Sequence, residues 1–214
     1  MSGLVHLVRH GEVHNPEGVI YGRLPGYHLS TAGQLMAEKT GGYLADRDIA
    51  VVVSSPLERA VQTAKVIAAR HGLEVEIDER LIESGSAFEG RRIRGAKDLL
   101  SAELLPLLRN PFRPSWGEPF NDVATRMLAA ARDASAAAGG REAVCVSHQL
   151  PIWVARRAVE DHTLWHRPDR RECALASVTT FRYDDAGHPT FFSYAEPAGS
   201  LGRRTGRPPV TPPD

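Results

Sequence analysis

Four side chains of the sequence, two arginines and two histidines, are of the types that bind and attack a phosphoryl group. Arg9 and His10 are adjacent, Arg59 lies 49 positions after His10, and His148 lies 138 positions after it. Guanidinium groups grip phosphate oxygens through paired hydrogen bonds, and a neutral imidazole is a nucleophile that can form a phosphohistidine. Brought together, the four side chains would form a dianion site that needs no metal ion.

The elements predicted around these residues would bring them to one edge of a sheet. Apolar runs at Leu4–Val8, Ile49–Val53 and Ala143–Val146 predict three buried strands. The first strand delivers the adjacent arginine and histidine, the second leads into the helix that carries the other arginine, and the third ends in Ser147-His148. Because parallel strands present their carboxyl ends at the same edge, we expect the four side chains to converge there.

Strands that alternate with helices predict an α/β fold, a three-layer α/β/α sandwich with a mainly parallel central sheet. One helix should start at Ser54-Ser55-Pro56, a hydroxyl cap followed by proline at the first helical position. Predicted helices run from Ser30 or Thr31 to about Leu44 and over Leu57–Arg70, Asn121–Ala138 and Pro151–Val159. A further strand near Leu73–Ile77 and a C-terminal edge hairpin of Val178–Tyr183 and Thr190–Tyr194 complete the sheet.

The chain is predicted to form a single domain over residues 1–197, with a helical and loop insertion at about 84–120 on the rim of the sheet. Within this insertion a short helix is expected around Ala96–Leu108. Residues 198–214 are rich in proline, arginine and glycine and lack apolar content, which predicts a disordered tail.

Composition excludes several classes of protein. The 214 residues include 26 basic and 26 acidic side chains, so nothing in the overall charge favours nucleic acid or an anionic membrane. No apolar run approaches the roughly 20 residues of a membrane helix, and the start of the chain does not resemble a secretory signal. Cys145 and Cys173, 28 positions apart in apolar surroundings, indicate two reduced, buried thiols and a cytoplasmic protein.

Three segments together resemble the histidine phosphatase superfamily, also called the phosphoglycerate mutase-like family. They are Arg9-His10-Gly11-Glu12, the segment from Ser54 to Ala64 (SSPLERAVQTA) and Val146-Ser147-His148. The resemblance extends from about Leu4 to Tyr183, and the order and spacing of the three segments make it specific. It implies a phosphoglycerate mutase-like fold and a phosphatase that uses no cofactor and no metal ion.

The resemblance also implies roles for individual residues. His10 would be the nucleophile, Arg9 and Arg59 would grip the phosphoryl group, and His148 would be the second histidine that faces the phosphate. The proton donor of the family is an acidic residue after the third strand, which Glu83 in Leu81-Ile82-Glu83-Ser84-Gly85 fits best, with Asp78 and Glu79 as rivals.

Three further residues are candidates for substrate contact. Asn15 follows the nucleophile by five positions, whereas the family's phosphate-touching asparagine follows by six. Gln149 replaces the family's glycine or asparagine, and its amide either contacts the substrate or caps the next helix. Arg23, in the loop Tyr21-Gly22-Arg23, would shape specificity.

Several other charged residues have simpler interpretations. His6 should be a satisfied core histidine and His14 a loop residue near the mouth of the pocket. Arg91, Arg92, Arg94 and Lys97 form either a solvated face or an extension of the pocket towards a second anionic group.

The function predicted is a metal-independent phosphomonoester phosphatase that works through a phosphohistidine on a small-molecule substrate. One alternative is a phosphoglycerate mutase-type transfer, but mutases of the family have a longer chain and an Asn-Glu-Arg-His-Tyr-Gly stretch where this sequence has Ile82-Glu83-Ser84-Gly85-Ser86-Ala87. Another is a non-catalytic module that binds phosphate or a phosphoprotein. Neither nucleic acid nor membrane is an expected partner, and the sequence leaves a homodimer open.

Overall fold

A six-stranded sheet runs through the centre of the protein, whose computed structural model describes residues 3–92 and 117–202. The strands lie in the order β3-β2-β4-β1-β5-β6, and the pairs among the first four are parallel whereas β5 and β6 are antiparallel. This is the mainly parallel sheet with an edge hairpin that the sequence predicted. The strands are β1 (Gly3–Arg9), β2 (Ile49–Ser54), β3 (Val75–Ile77), β4 (Glu142–Ser147), β5 (Val178–Tyr183) and β6 (Pro189–Ala195).

Helices cover both faces of the sheet and complete the predicted three-layer sandwich. In the described part of the chain they are α1 (Thr31–Leu44), α2 (Glu58–Ala69), α3 (Phe120–Ala137), α4 (Gln149–Val159) and the short α5 (Gly199–Gly202), with single 3-10 turns at Glu79–Leu81 and Pro168–Arg170. One core cluster joins α2 to side chains such as Val8 and Val146, and the other joins α3 and α4 to side chains such as Leu7 and Cys145. Successive strand residues therefore supply opposite faces.

The start of α2 differs from the prediction. The helix begins at Glu58, its N-cap is Leu57, and no side chain caps it. The hydroxyl of Ser55 instead bonds the ring of His148 at 2.8 Å and makes only a long 3.4 Å contact with the backbone N–H of Leu57. The Ser-Ser-Pro segment therefore binds a side chain at the end of a neighbouring strand and does not cap the helix.

The predicted disorder of the tail from residue 198 is wrong for its first five residues. Ala198 is buried against Met36 of α1, and Gly199–Gly202 forms the short helix α5. Apolar side chains at Ala198 and Leu201 give this segment a surface to bury. Residues 203–214 lie outside the described residues, as do the predicted helix around 96–108 and the side chains of Arg94 and Lys97.

Three buried polar or thiol residues lie where the sequence placed them. His6 is 3% exposed and bonds Thr180 through Nδ1 (3.0 Å) and Glu142 through Nε2 (2.7 Å), which confirms a satisfied core histidine. Cys145 and Cys173 are buried free thiols, also as predicted. None of the helices in the described part of the chain is long and apolar enough to cross a membrane.

The loop after β1 is pressed against α1 through two glycines. A Cβ atom on Gly11 would lie 2.4 Å from the carbonyl oxygen of Gly33, and one on Gly33 would lie 2.0 Å from the carbonyl oxygen of Glu12. Both distances are shorter than any real contact, so the two backbones can approach only without side chains. Ser30, the N-cap of α1, adds a 2.7 Å hydrogen bond from its hydroxyl to the carboxylate of Glu12.

Replacing Gly33 by alanine should therefore destabilise the protein although alanine favours helix. The backbone shift forced by the methyl group should cost about 1–3 kcal/mol and outweigh the gain of up to about 1 kcal/mol from helix propensity. Gly42→Ala is the matched control, because Gly42 lies in the same helix and a Cβ atom there would meet nothing within 4 Å. Urea unfolding should rank G42A above wild type and G33A below it, and equal stability of the two variants would contradict the close approach.

Candidate active site

The carboxyl ends of β2, β4 and β1 are joined by backbone hydrogen bonds that continue beyond the strands. The N–H of His10 donates to the carbonyl of Ser147 at 3.1 Å, and the N–H of Ser55 donates to the carbonyl of Val146 at 2.9 Å. The N–H of Gly11 donates to the hydroxyl of Thr63 at 3.2 Å, which ties the loop to α2. The predicted convergence of the three strand ends is thereby confirmed.

His10 is held in one tautomer. Its Nδ1 lies 2.7 Å from the carbonyl oxygen of Gly11, which can only accept, so Nδ1 carries the proton and Nε2 keeps a free lone pair. The ring is 2% exposed. Burial, followed by the charges of Arg59 and Arg9, holds the pKa of His10 well below its ordinary value. The imidazole is therefore neutral and oriented, as a nucleophile must be.

His148 lies beside His10, with 5.1 Å between the ring centroids. It is fully buried, and its Nε2 bonds the hydroxyl of Ser55 at 2.8 Å. Ser55 has one hydroxyl proton, and when the hydroxyl donates that proton to Nε2 the ring proton of His148 resides on Nδ1. Burial, and then His10 and Arg59, lower the pKa of His148 well below its ordinary value.

Arg9 and Arg59 are each anchored by one carbonyl oxygen. Arg9 donates to the carbonyl of Cys173 and Arg59 to the carbonyl of Gly22, both at 2.6 Å. Arg59 has no exposed surface, and its guanidinium lies 4.7 Å from the ring centre of Tyr21. Neither arginine forms a salt bridge within the described residues, and burial lowers the pKa of Arg59 from its ordinary value.

Four buried nitrogens of these side chains have no hydrogen-bond partner among the described residues. They are Nε of Arg9, Nε and Nη1 of Arg59, and Nδ1 of His148. Buried donors are normally satisfied, because an unpaired one costs roughly 1–3 kcal/mol and more when it is charged. Their grouping beside a neutral His10 is suited to an anion that accepts several hydrogen bonds, such as a phosphoryl group.

Glu83 is the acidic candidate that the structure brings to the site. It lines a cavity of about 420 Å³ together with Arg9 and His10. Burial raises the pKa of Glu83, and the bond it accepts from the N–H of Ser84 at 2.8 Å and the charge of Arg59 act in the opposite direction. Asp78 is instead bound to Arg80 at 2.7 Å, and Glu79 lies exposed in the 3-10 turn.

The three other predicted contact residues have different outcomes. Asn15 does not line the cavity, because both ends of its amide bond the backbone of Val19 at 2.8 and 3.1 Å. Arg23 also lies outside the lining and binds the carbonyl of Glu83 at 2.6 Å. Gln149 lines the cavity and is the first residue of α4, whose N-cap is His148, so it is not the cap.

The two basic residues of the insertion that the structure describes lie on its surface. Arg91 and Arg92 are exposed, and Arg92 pairs with Glu17. His14 is likewise an exposed loop residue, and none of the three belongs to the cavity lining. The interpretation as a solvated face therefore holds for the described part of this basic segment.

Sequence reasoning missed several residues of the cavity. Arg171 and the apolar side chains of Phe88, Phe120 and Leu150 line it, whereas Tyr21 belongs to the loop that was predicted to shape specificity. Arg171 follows Pro168-Asp169-Arg170 in a charged stretch that is typical of solvated loops, so its type and position gave no signal. No group of three or more histidine, cysteine, aspartate or glutamate side chains in residues 3–92 and 117–202 is placed to hold a metal ion.

Comparisons with known proteins agree with this geometry. Residues 5–194 match the model of the histidine phosphatase superfamily, branch 1. The chain therefore belongs to that superfamily, and its enzyme class is that of a histidine-type phosphatase, as predicted. The uncharacterized protein Rv0525 of Mycobacterium tuberculosis is 55% identical over 181 residues, which cover 84% of this chain and 90% of that protein.

Solved structures show the same fold. YhfR of Bacillus stearothermophilus superposes with a TM-score of 0.74 at 25% identity, covering 89% of this chain and 94% of that one. The mycobacterial glucosyl-3-phosphoglycerate phosphatase Rv2419c superposes with a TM-score of 0.71 at 24% identity, covering 91% and 97%. The expected phosphoglycerate mutase-like α/β fold is thus confirmed.

Inorganic phosphate should stabilise the wild-type protein but not the variant Arg59→Met. A ligand at 100 times its dissociation constant raises the free energy of unfolding by about 2.7 kcal/mol, and R59M removes two of the four unpartnered donors. Without phosphate, R59M should be about as stable as wild type, since it also removes a desolvated charge. Thermal unfolding with and without phosphate tests this, with exposed Arg70→Met as control; an undiminished response of R59M would contradict the site.

The free energy of unfolding should fall as the pH is lowered from 6.5 to 5. His6, His10 and His148 have folded-state pKa values below the ordinary 6.5, so the unfolded chain binds more protons in this range. Each such histidine contributes a slope of up to about 1.4 kcal/mol per pH unit. Urea unfolding at several pH values should show this slope, and His148→Asn should reduce it by one histidine's share. A flat wild-type profile would contradict neutral, buried rings.

Proposed function

We propose that this member of the histidine phosphatase superfamily hydrolyses small-molecule phosphomonoesters without a metal ion, through a phosphohistidine on His10. The observation that carries the proposal is the set of four unpartnered nitrogens of Arg9, Arg59 and His148 beside a neutral His10 with a free Nε2. Positive charge and hydrogen-bond donors are in place before the substrate binds, so little reorganisation is needed during the reaction.

In the first step, Nε2 of His10 attacks phosphorus as the bond from phosphorus to the ester oxygen breaks. Arg9, Arg59 and the Nδ1–H of His148 would bind the three other phosphoryl oxygens, where negative charge is spread in the transition state. The Gly11 carbonyl stabilises the positive charge that develops on the His10 ring, because it accepts the hydrogen bond from Nδ1 at 2.7 Å. The product is a phosphohistidine and an alcohol.

Glu83 is proposed as the acid that protonates the leaving oxygen. Burial raises its pKa and so favours the protonated form, and the side chain lines the same cavity as His10. In the second step the Glu83 carboxylate takes a proton from water as the water oxygen attacks phosphorus. The bond from nitrogen to phosphorus then breaks, and inorganic phosphate and free His10 are regenerated.

Glu83→Gln should lower kcat strongly for an alkyl phosphate, whereas the rate of phosphohistidine formation from an aryl phosphate should fall much less. An alkoxide needs the proton of Glu83 in order to leave, and general acid catalysis contributes about 10²- to 10⁴-fold. A phenolate leaves without help, so phosphohistidine formation on the aryl substrate should change little. Burst kinetics with 4-nitrophenyl phosphate and steady-state rates with glycerol 3-phosphate measure the two effects.

Exposed Glu79→Gln is the matched control and should leave both rates unchanged. His10→Ala should abolish turnover of both substrates and remove the phosphoryl adduct detected by mass spectrometry of the quenched wild-type enzyme. The proposed roles would be refuted if E83Q slowed the aryl burst as much as it lowered kcat for the alkyl phosphate, or if H10A kept full turnover.

The products separate this function from the two alternatives. Incubation with 3-phosphoglycerate should release free phosphate, whereas a mutase would yield the 2-isomer. A non-catalytic module would bind phosphate, as tested above, and release nothing from any ester in a broad screen of phosphomonoesters.

A further inference from the structure

A second guanidinium group, that of Arg171, lines the cavity in addition to that of Arg9. Arg171 lines the cavity together with Glu83, Gln149 and Leu150. Within residues 3–92 and 117–202 its side chain makes one hydrogen bond and no salt bridge. The phosphatase mechanism gives this charge no task.

The hydrogen bond to His166 orients the guanidinium group of Arg171. His166 donates from Nδ1 to the carbonyl of Leu164 at 2.7 Å, so its Nε2 is unprotonated and accepts from Nε of Arg171 at 2.9 Å. The His166 ring is packed near Phe120 and Trp153, with centroid distances of 5.5 and 6.1 Å. Burial lowers the pKa of His166 to about 4, so the ring remains an acceptor at neutral pH. The two Nη groups of Arg171 are thus left for a ligand.

Once a phosphoryl group is bound, no negative charge of the cavity lining balances the positive charge of Arg171. A phosphomonoester dianion is balanced by Arg9 and Arg59. Glu118, a carboxylate of the cavity wall, is already paired with Arg23 at 2.9 Å and Arg126 at 2.7 Å. Glu83 carries no charge in its acid form, so it would not neutralise Arg171 when the substrate binds.

The rest of the lining supplies apolar surface that can contact the carbon skeleton of a substrate. Ile20, Tyr21, Phe120 and Leu150 provide apolar surface in the same cavity of about 420 Å³. A small organic phosphate can therefore place its ester group at His10 and a second polar group at Arg171.

We propose that Arg171, oriented by His166, is a specificity-determining residue that binds a second anionic group, a carboxylate or a second phosphate, on the organic part of the substrate. The inference rests on the proposed function and deepens it by naming the substrate class, a phosphomonoester with two anionic groups.

Matched substrate pairs test the proposal. 3-Phosphoglycerate and glycerol 3-phosphate differ by a carboxylate, and fructose 1,6-bisphosphate and fructose 6-phosphate differ by a second phosphate. In one of the two pairs, wild type should prefer the member with the second anionic group by about 10-fold or more in kcat/KM, because charge-assisted hydrogen bonds are worth about 1.5–3 kcal/mol. Arg171→Gln should abolish that preference, mainly by raising KM. Whichever pair shows the preference identifies the anion.

Arg170→Gln is the matched control, because it removes the same charge from the neighbouring, exposed position and should keep the preference. A wild type without preference in both pairs, or an R171Q variant that loses activity equally on both members of the preferred pair, would overturn the proposal. Calorimetric binding of the same four compounds to His10→Ala gives the same comparison without turnover. Failure of the phosphatase reaction is therefore distinguishable from failure of the Arg171 site.

His166 acts as a positioning residue in this proposal, and its test is rescue by an acceptor. His166→Ala should raise KM for the preferred substrate and leave unchanged the KM for the member of the pair that lacks the second anionic group. His166→Gln, which keeps an acceptor oxygen, should restore most of the preference. Equal effects of alanine and glutamine would show that the bond to Arg171 does not orient it.

Discussion

The rest of the structure depends on one constraint: fully buried Arg59 and half-buried Arg9 have no carboxylate partner among the described residues. Such groups lose hydration and recover only part of it from the carbonyl oxygens of Gly22 and Cys173. The cost is acceptable only if the surrounding backbone is rigid enough to keep the charges from turning towards water. In return, an anion meets donors that are already desolvated and oriented.

The rigidity comes from contacts with little freedom to adjust. Strand ends are joined by the bond from the His10 N–H to Ser147, and the loop after β1 is fixed to α1 where Gly11 meets Gly33. Thr63 links this loop to α2, since its hydroxyl accepts from Gly11 and donates to the carbonyl of Arg59 at 2.8 Å. The burial that desolvates Arg59 also holds the pKa of His10 and of His148 well below the ordinary value, so the anion site and the neutral histidines have one physical origin.

The residues at strand ends and helix starts could be predicted from the sequence, because the apolar pattern of a strand and a residue's place at its end together determine where the side chain lies. Arg9, His10, Arg59 and His148 follow apolar runs whose burial is readable from composition, and a parallel sheet then requires them to converge. The prediction that Ser54-Ser55-Pro56 caps a helix was wrong because a serine hydroxyl can bond either the local backbone or a distant side chain. The Ser55 hydroxyl bonds His148, 93 positions away, instead of capping the helix. Asn15 misled for the opposite reason, since a local turn with Val19 satisfied an amide expected at the phosphate.

Chemistry and specificity are therefore placed on different kinds of structure. The groups proposed to bind the phosphoryl oxygens lie on strand ends and a helix, where displacement by one residue would invert or rotate a side chain and destroy the site. Arg171 and His166 lie in the connection between α4 and β5, where the path of the backbone depends on contacts with Phe120 and Trp153 from two helices. Such a connection can change its side chains without disturbing the sheet, so the proposed specificity residue lies where sequence patterns are least informative.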